Sequence, residues 1–159
     1  MLTPLTMKYF FTSLLVLVIA TKAYSISGTD SVTICGHQLA IPPELKLTKP
    51  QELTGETYSV SWQYISKREL EKMPDKVAAS LNRTLKNESH ENLLCYFLHE
   101  PSKAYGYTFD DSNGSRTGKI IIFANVNDQP VYVQITLSGT VFENEKLSLF
   151  INRLIVLGR

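Results

Sequence analysis

The sequence predicts an α+β fold, with an antiparallel β-sheet of about six to seven strands and one main helix and a short C-terminal helix on one face. Three observations carry this expectation. VYVQITLSG sets Val131, Val133, Ile135 and Leu137 against Tyr132, Gln134, Thr136 and Ser138, the period-two pattern of a strand with one wet side. YSVSWQYIS repeats it, with Tyr58, Val60, Trp62 and Tyr64 opposite Ser59, Ser61 and Gln63. Leu70, Met73, Val77, Ala78, Leu81 and Leu85 instead recur at helical spacing and trace one face. An amphipathic helix and half-apolar strands bury their faces against each other, so the apolar side of VYVQITLSG is expected to meet this helix and the terminal one.

The first stretch of the 159-residue chain reads as a leader. In MLTPLTMKYFFTSLLVLVIATKAYS, Lys8 precedes an apolar run from Tyr9 to Ala20, and small residues follow at Ala23 and Ser25. This is the layout of a secretory signal peptide cut after Ser25, and Met7 is an alternative start. The apolar run is about a dozen residues, short of the roughly 20 needed to span a bilayer. The expected division is a cleaved segment 1–25 and a single domain 26–159, exported to the periplasm or extracellular space, with no membrane span after cleavage.

Next, SVTIC predicts a strand at Val32 to Cys35, Gly36 a turn, and Gln38 to Ile41 a second strand closed by Pro42-Pro43, which cannot donate to a ladder. KLTKPQELTGE reads as a polar connection to YSVSWQYIS. Ser66 and Glu69 then form a capping box. Pro74 predicts a kink there, or a short first turn followed by a main helix from Pro74 to about Lys86. NLLCYFL reads as a fully apolar strand, HEPSKA as a turn, and YGYTF as a strand with Tyr105, Tyr107 and Phe109 on one face. DDSNGSRTG is a turn. KIIIFANV and VYVQITLSG flank Asn127-Asp128-Gln129-Pro130 as a hairpin. Leu147, Phe150, Ile151 and Leu154 predict the terminal helix, which LIVL extends or follows as a closing strand.

This order of elements, with LAIPPEL near the start and LFINRLIVL at the end, resembles the PsbP/Mog1-like fold, including small bacterial envelope proteins of the DcrB type. The resemblance is one of topology over most of the exported chain and carries no functional residue with it.

The net charge of +1 offers no basic field for nucleic acid. In an oxidising compartment Cys35 and Cys95 are expected to pair, closing a loop of about 60 residues worth roughly 4 kcal/mol in the chain-entropy model, the rival reading being two buried free thiols. Asn82, Asn87 and Asn113 lie in glycosylation sequons that count only in a eukaryotic host. His37, His90 and His99 lack metal-ligand spacing and read as solvated, although His99 and Glu100 are adjacent as an acid/base pair would be. Asp110 to Ser115 clusters oxygen ligands without the alternation of a calcium loop. Cys35 stands two residues from His37, but pairing would remove its thiolate. There is no G-x-S-x-G elbow, P-loop or dinucleotide fingerprint, and no cofactor is expected. Tyrosine suits binding surfaces, and Tyr132, opposite the apolar side of its strand, is the expected interface residue. The function expected is therefore non-catalytic binding of another protein, as in immunity or inhibitor proteins or an envelope accessory role. The alternative is a small hydrolase or ligand carrier with a pocket between sheet and helices.

Overall fold

The computed structural model describes residues 30–158, and of Asn87 only the backbone. The expected leader and its cut after Ser25 lie outside the described residues. The chain from residue 31 onward forms one compact unit. The class is α+β, and the described residues form an eight-stranded antiparallel sheet, a separate two-stranded hairpin, one main helix and a short C-terminal helix.

The hairpin is β1 (Ser31–Ile34) and β2 (His37–Ala40), joined at Cys35-Gly36 with φ of 49° and 81°. Positive φ at both turn residues matches the right-handed twist of the flanking strands. The large sheet begins with β3 (Lys46–Lys49), β4 (Glu52–Thr54) and β5 (Tyr58–Tyr64). The first two replace the expected polar connection. Every residue of β3 is exposed, so this edge strand carries no buried alternation to be read.

Helix α1 (Lys67–Thr84) follows. Ser66 Oγ accepts from the Glu69 amide at 3.2 Å, and Glu69 Oε2 accepts from the Ser66 amide at 2.8 Å, completing the capping box. The helix runs unbroken through Pro74, which corrects the expectation of a start there. The box starts it about two turns earlier, and the Pro74 ring, whose nitrogen cannot make a backbone bond, is buried.

A meander of β6 (Lys86–Phe97), β7 (Glu100–Asp110), β8 (Arg116–Val126) and β9 (Gln129–Leu137) completes the centre. Its turns are Leu98-His99, with φ of 48° and 73°, the five-residue loop starting at Asp111, and Asn127-Asp128, with φ of 50° and 59°. HEPSKA is thus mostly strand. Leucine accepts the left-handed conformation at position 98 because its side chain is buried in the core. A 3₁₀ turn (Asn144–Lys146), helix α2 (Leu149–Leu154) and β10 (Ile155–Leu157) end the fold.

The sheet order is β10-β6-β7-β8-β9-β5-β4-β3. Strands β5 and β6, consecutive in the chain, therefore lie four positions apart and run parallel. The connection has to cross the sheet, a span of about 19 Å at strand spacing. Eighteen helical residues, about 27 Å long, make that crossing diagonally.

Two cores result. On one face Val131, Val133 and Ile135 join Val60, Trp62, Ile120 and Ile122 beneath α2 and the β1–β2 hairpin. On the other, Tyr107, Phe109, Ile121 and Phe123 lie beneath Leu70, Met73, Val77, Leu81 and Leu85 of α1, with Tyr132 beside them. The helices thus cover opposite faces rather than one, and α1 meets the Tyr132 side of VYVQITLSG. The reason lies in β8, where Ile120, Ile121, Ile122 and Phe123 are all buried and both faces demand a cover. Alanine at Ile122 is expected to cost 2–5 kcal/mol, the range for deleting a fully enclosed aliphatic side chain. Alanine at Ser66 is expected to cost about 1 kcal/mol. Both should appear as lower urea midpoints at unchanged m-value.

Candidate functional site

The residues named from sequence are dispersed over this frame. Cys35 and Cys95 are free and buried, which corrects the expected disulfide. Cys35 is held at the hairpin turn, where its amide donates to the Tyr64 hydroxyl at 3.0 Å and its carbonyl accepts from Asn127 Nδ2 at 3.0 Å. Cys95 sits on β6, paired with Leu157 and Ser102. The residues that hold Cys35 belong to β5 and the β8–β9 turn, two or more strands from β6, whereas a bridge needs Cα atoms within about 7 Å. Burial pushes the thiols up, Cys35 to about 11 and Cys95 to about 12. Neither is an activated nucleophile.

Asn82 lies exposed on α1 and Asn113 exposed in the β7–β8 loop, and the Asn87 side chain is outside the described residues. In that loop Asp111 Oδ1 accepts from the amides of Asn113 at 2.8 Å and Ser115 at 2.9 Å. Its carboxylate therefore organises the turn. Histidine 99 occupies a turn, and the imidazole that does find a carboxylate is His90, whose Nδ1 lies 2.5 Å from Glu88 Oε1. The same ring stacks on Tyr107 at 5.4 Å between centroids. The Tyr107 hydroxyl is enclosed with no hydrogen-bond partner among the described residues, and burial holds it protonated above its usual range. No group of three or more His, Cys, Asp or Glu able to hold a metal occurs among the described residues.

Because α1 crosses the sheet diagonally, it leaves two parts of its own face open. At the β10-β6-β7 end, Val156 pairs with Tyr96 and Tyr96 with Pro101, while Leu94 pairs with Lys103 in the next row. Leu94 is 68% exposed, and Tyr96 and Val156 are each 47% exposed. NLLCYFL is therefore buried on one side only, through Cys95 and Phe97. Sequence reading missed this because an uninterrupted apolar run hides which alternate positions face water. Among the described residues the outer edge of β6 beyond Leu94 has no strand partner, since β10 pairs only with Cys95 to Phe97.

At the β5-β4-β3 end the open face is polar. Two cross-strand rows form it, Gln63 with Tyr132, and Glu52 with Ser61 and Gln134. With Lys49, Pro50 and Gln51 of the β3–β4 turn they line a groove of about 390 Å³. Tyr132 borders it, half-buried against Phe123 with ring centroids 5.1 Å apart. Burial is the main cause that pushes its hydroxyl up, to about 12.

Comparison of the chain with known protein families, with curated proteins and with solved structures finds no match. The buried thiols and Tyr132 predict an alkaline limit to stability. From about pH 9 upward the unfolded chain loses thiol protons that the folded chain retains, so the unfolded state binds fewer protons and stability falls. The decline should begin near pH 9 and continue towards about 12 in urea titrations at stepped pH. In the native state both thiols should resist Ellman's reagent, and both should react once urea unfolds the chain.

Proposed function

We propose that this chain is a small exported protein, secreted or periplasmic, whose activity is to bind another protein without chemically altering it. The role is that of an immunity or inhibitor protein, or of an envelope accessory factor. The observation that carries the reading is the patch of Leu94, Tyr96 and Val156, three large apolar side chains exposed in adjacent cross-strand rows of the sheet. Contiguous exposed apolar residues mark contact surfaces, and an aromatic anchor at their centre is the usual energetic focus. The open backbone of β6 beside them suits an extended segment of the partner, which adds as a strand while the apolar row sets its register. The leader pattern around Lys8 supports an encounter outside the cytoplasm.

The test begins with the exported protein from its own host, whose N-terminal residue should be Ile26. A cytosolic chain that retains its leader would overturn the location. A partner isolated on the immobilised protein is then titrated against variants. Leu94→Asp combined with Tyr96→Ser should weaken binding by roughly tenfold or more, about 1.4 kcal/mol. Leu149→Asp, a change at the exposed start of α2, should leave it unaltered. Equal affinity of the double variant and the wild type would reject this surface, provided thermal unfolding shows both folded.

A further inference from the structure

We infer that the open edge of β6 takes a second copy of this chain: two β6 strands pair antiparallel about a two-fold axis at His90, and each copy covers the other's Leu94, Tyr96 and Val156. This rests on the surface assigned above to a partner protein and adds its regulation, since the second copy hides that surface until the partner displaces it. The two edges of the large sheet are unlike. At β3 the edge strand has four residues and carries Lys46 and Lys49, and short, lysine-bearing edges resist pairing. At β6 the stretch from Lys86 to Leu93 has no strand beside it among the described residues, a length of about 26 Å.

Backbone geometry fixes which groups point outwards. The Gly158 amide donates to the Leu94 carbonyl at 2.8 Å, so Leu94 faces the outer side, and in a regular strand every second residue does the same. The ladder to β7 is regular from Ser89 to Phe97, which leaves the N–H and C=O of His90 and Asn92 aimed into the open edge. A two-fold axis perpendicular to the sheet keeps α1 of both copies on one face, so opposed side chains share a face. With the axis at His90, its N–H and C=O exchange bonds with His90 of the second copy, Asn92 meets Glu88, and Ser89 meets Glu91. No like charges are then opposed. An axis at Glu91 would set two carboxylates face to face, and one at Ser89 would take its bonds from the irregular stretch between Lys86 and Ser89. The His90 rings leave the axis free, because each is held by its own Glu88 and stacked on its own Tyr107.

The same rotation covers the bare corner. Helix α1 comes down to the sheet at Lys86, the end of β6 remote from Leu94 and Tyr96. A two-fold exchanges the ends, so the last turn of α1 in the second copy arrives beside Leu94, Tyr96 and Val156, which the first copy's own helix leaves open. A foreign strand would satisfy one edge only, whereas the symmetric contact satisfies both edges and both patches at once. The contact is small. An edge about 26 Å long on a sheet about 10 Å deep, with three partly exposed side chains, comes to roughly 1,100 Å² for the pair, the low end of specific interfaces. The dimer is therefore reversible, and a tighter partner can displace it.

The test is sedimentation equilibrium of the purified exported protein, with an expected monomer–dimer Kd on the order of 10–100 µM. Asn92→Pro removes an outward N–H, a change that edge strands tolerate, and should weaken the dimer at least tenfold. His90→Cys sets two thiols on the axis at about 5.5 Å between Cα atoms, the separation of a hydrogen-bonded antiparallel pair and within disulfide reach. Mild oxidation should link this variant into a covalent dimer, whereas Asn113→Cys in the β7–β8 loop should stay monomeric, and the buried Cys35 and Cys95 take no part. A protein that remains monomeric to about 500 µM, well above that Kd, would overturn the inference. So would a dimer undiminished by Asn92→Pro, or His90→Cys that stays unlinked, and the crosslink alone decides if the proline variant fails to fold. A monomer whose partner binding still falls with Leu94→Asp and Tyr96→Ser would reject the second copy and keep the binding surface.

Discussion

Strand β8 is buried on both faces at four successive positions, Ile120 to Phe123, and the rest of the architecture answers to that constraint. A strand of this kind is stable only in the middle of a sheet with a layer on either side. The layer over Ile120 and Ile122 comes from α2 and the hairpin, whose contributions include Ile34, Phe150 and Leu154. The layer over Ile121 and Phe123 comes from α1. The loop after β9 tightens the first layer. There Phe142 lies so close to Gly106 that a Cβ on that glycine would stand 2.7 Å from the ring.

The same constraint explains where the open surfaces lie. Eight strands at about 4.8 Å spacing make a sheet roughly 34 Å wide, and a helix about 10 Å across that crosses it diagonally covers its centre only. The face of α1 is consequently bare at both ends, and the two ends differ in chemistry. Near β6 the uncovered side chains are apolar, while near β5 they are amides and hydroxyls. A single crossover thus leaves one bare surface that is apolar and one that is polar.

Much of this was legible in the residues. Alternation marked β5 and β9, Ser66 and Glu69 marked the start of α1, and the Asn127-Asp128 turn marked the β8–β9 hairpin. Local patterns failed where the deciding fact was a neighbour distant in sequence. That Leu94 and Tyr96 face water follows from the marginal position of β6, which no window around them encodes. The run Ile120-Ile121-Ile122-Phe123 did carry the sign of burial on two sides, and giving it full weight would have separated the helices. The thiols illustrate the same limit, since whether Cys35 meets Cys95 depends on which strands lie between. Tyr132 was correctly placed opposite the apolar side of its strand, but the amides around it acquire their meaning only once β4 and β5 are set beside β9.

The order of strands also imposes an order of events on folding. Each turn within the β6–β9 meander closes over two to five residues, whereas joining β5 to β9 closes a loop of about 70. Closure entropy rises with loop length, and non-local pairing is the slow step in sheets of this kind. The meander is the part that can nucleate alone. Strands β3 to β5 dock on it afterwards, so the polar groove is assembled last and is the region most readily lost through partial opening of the native state.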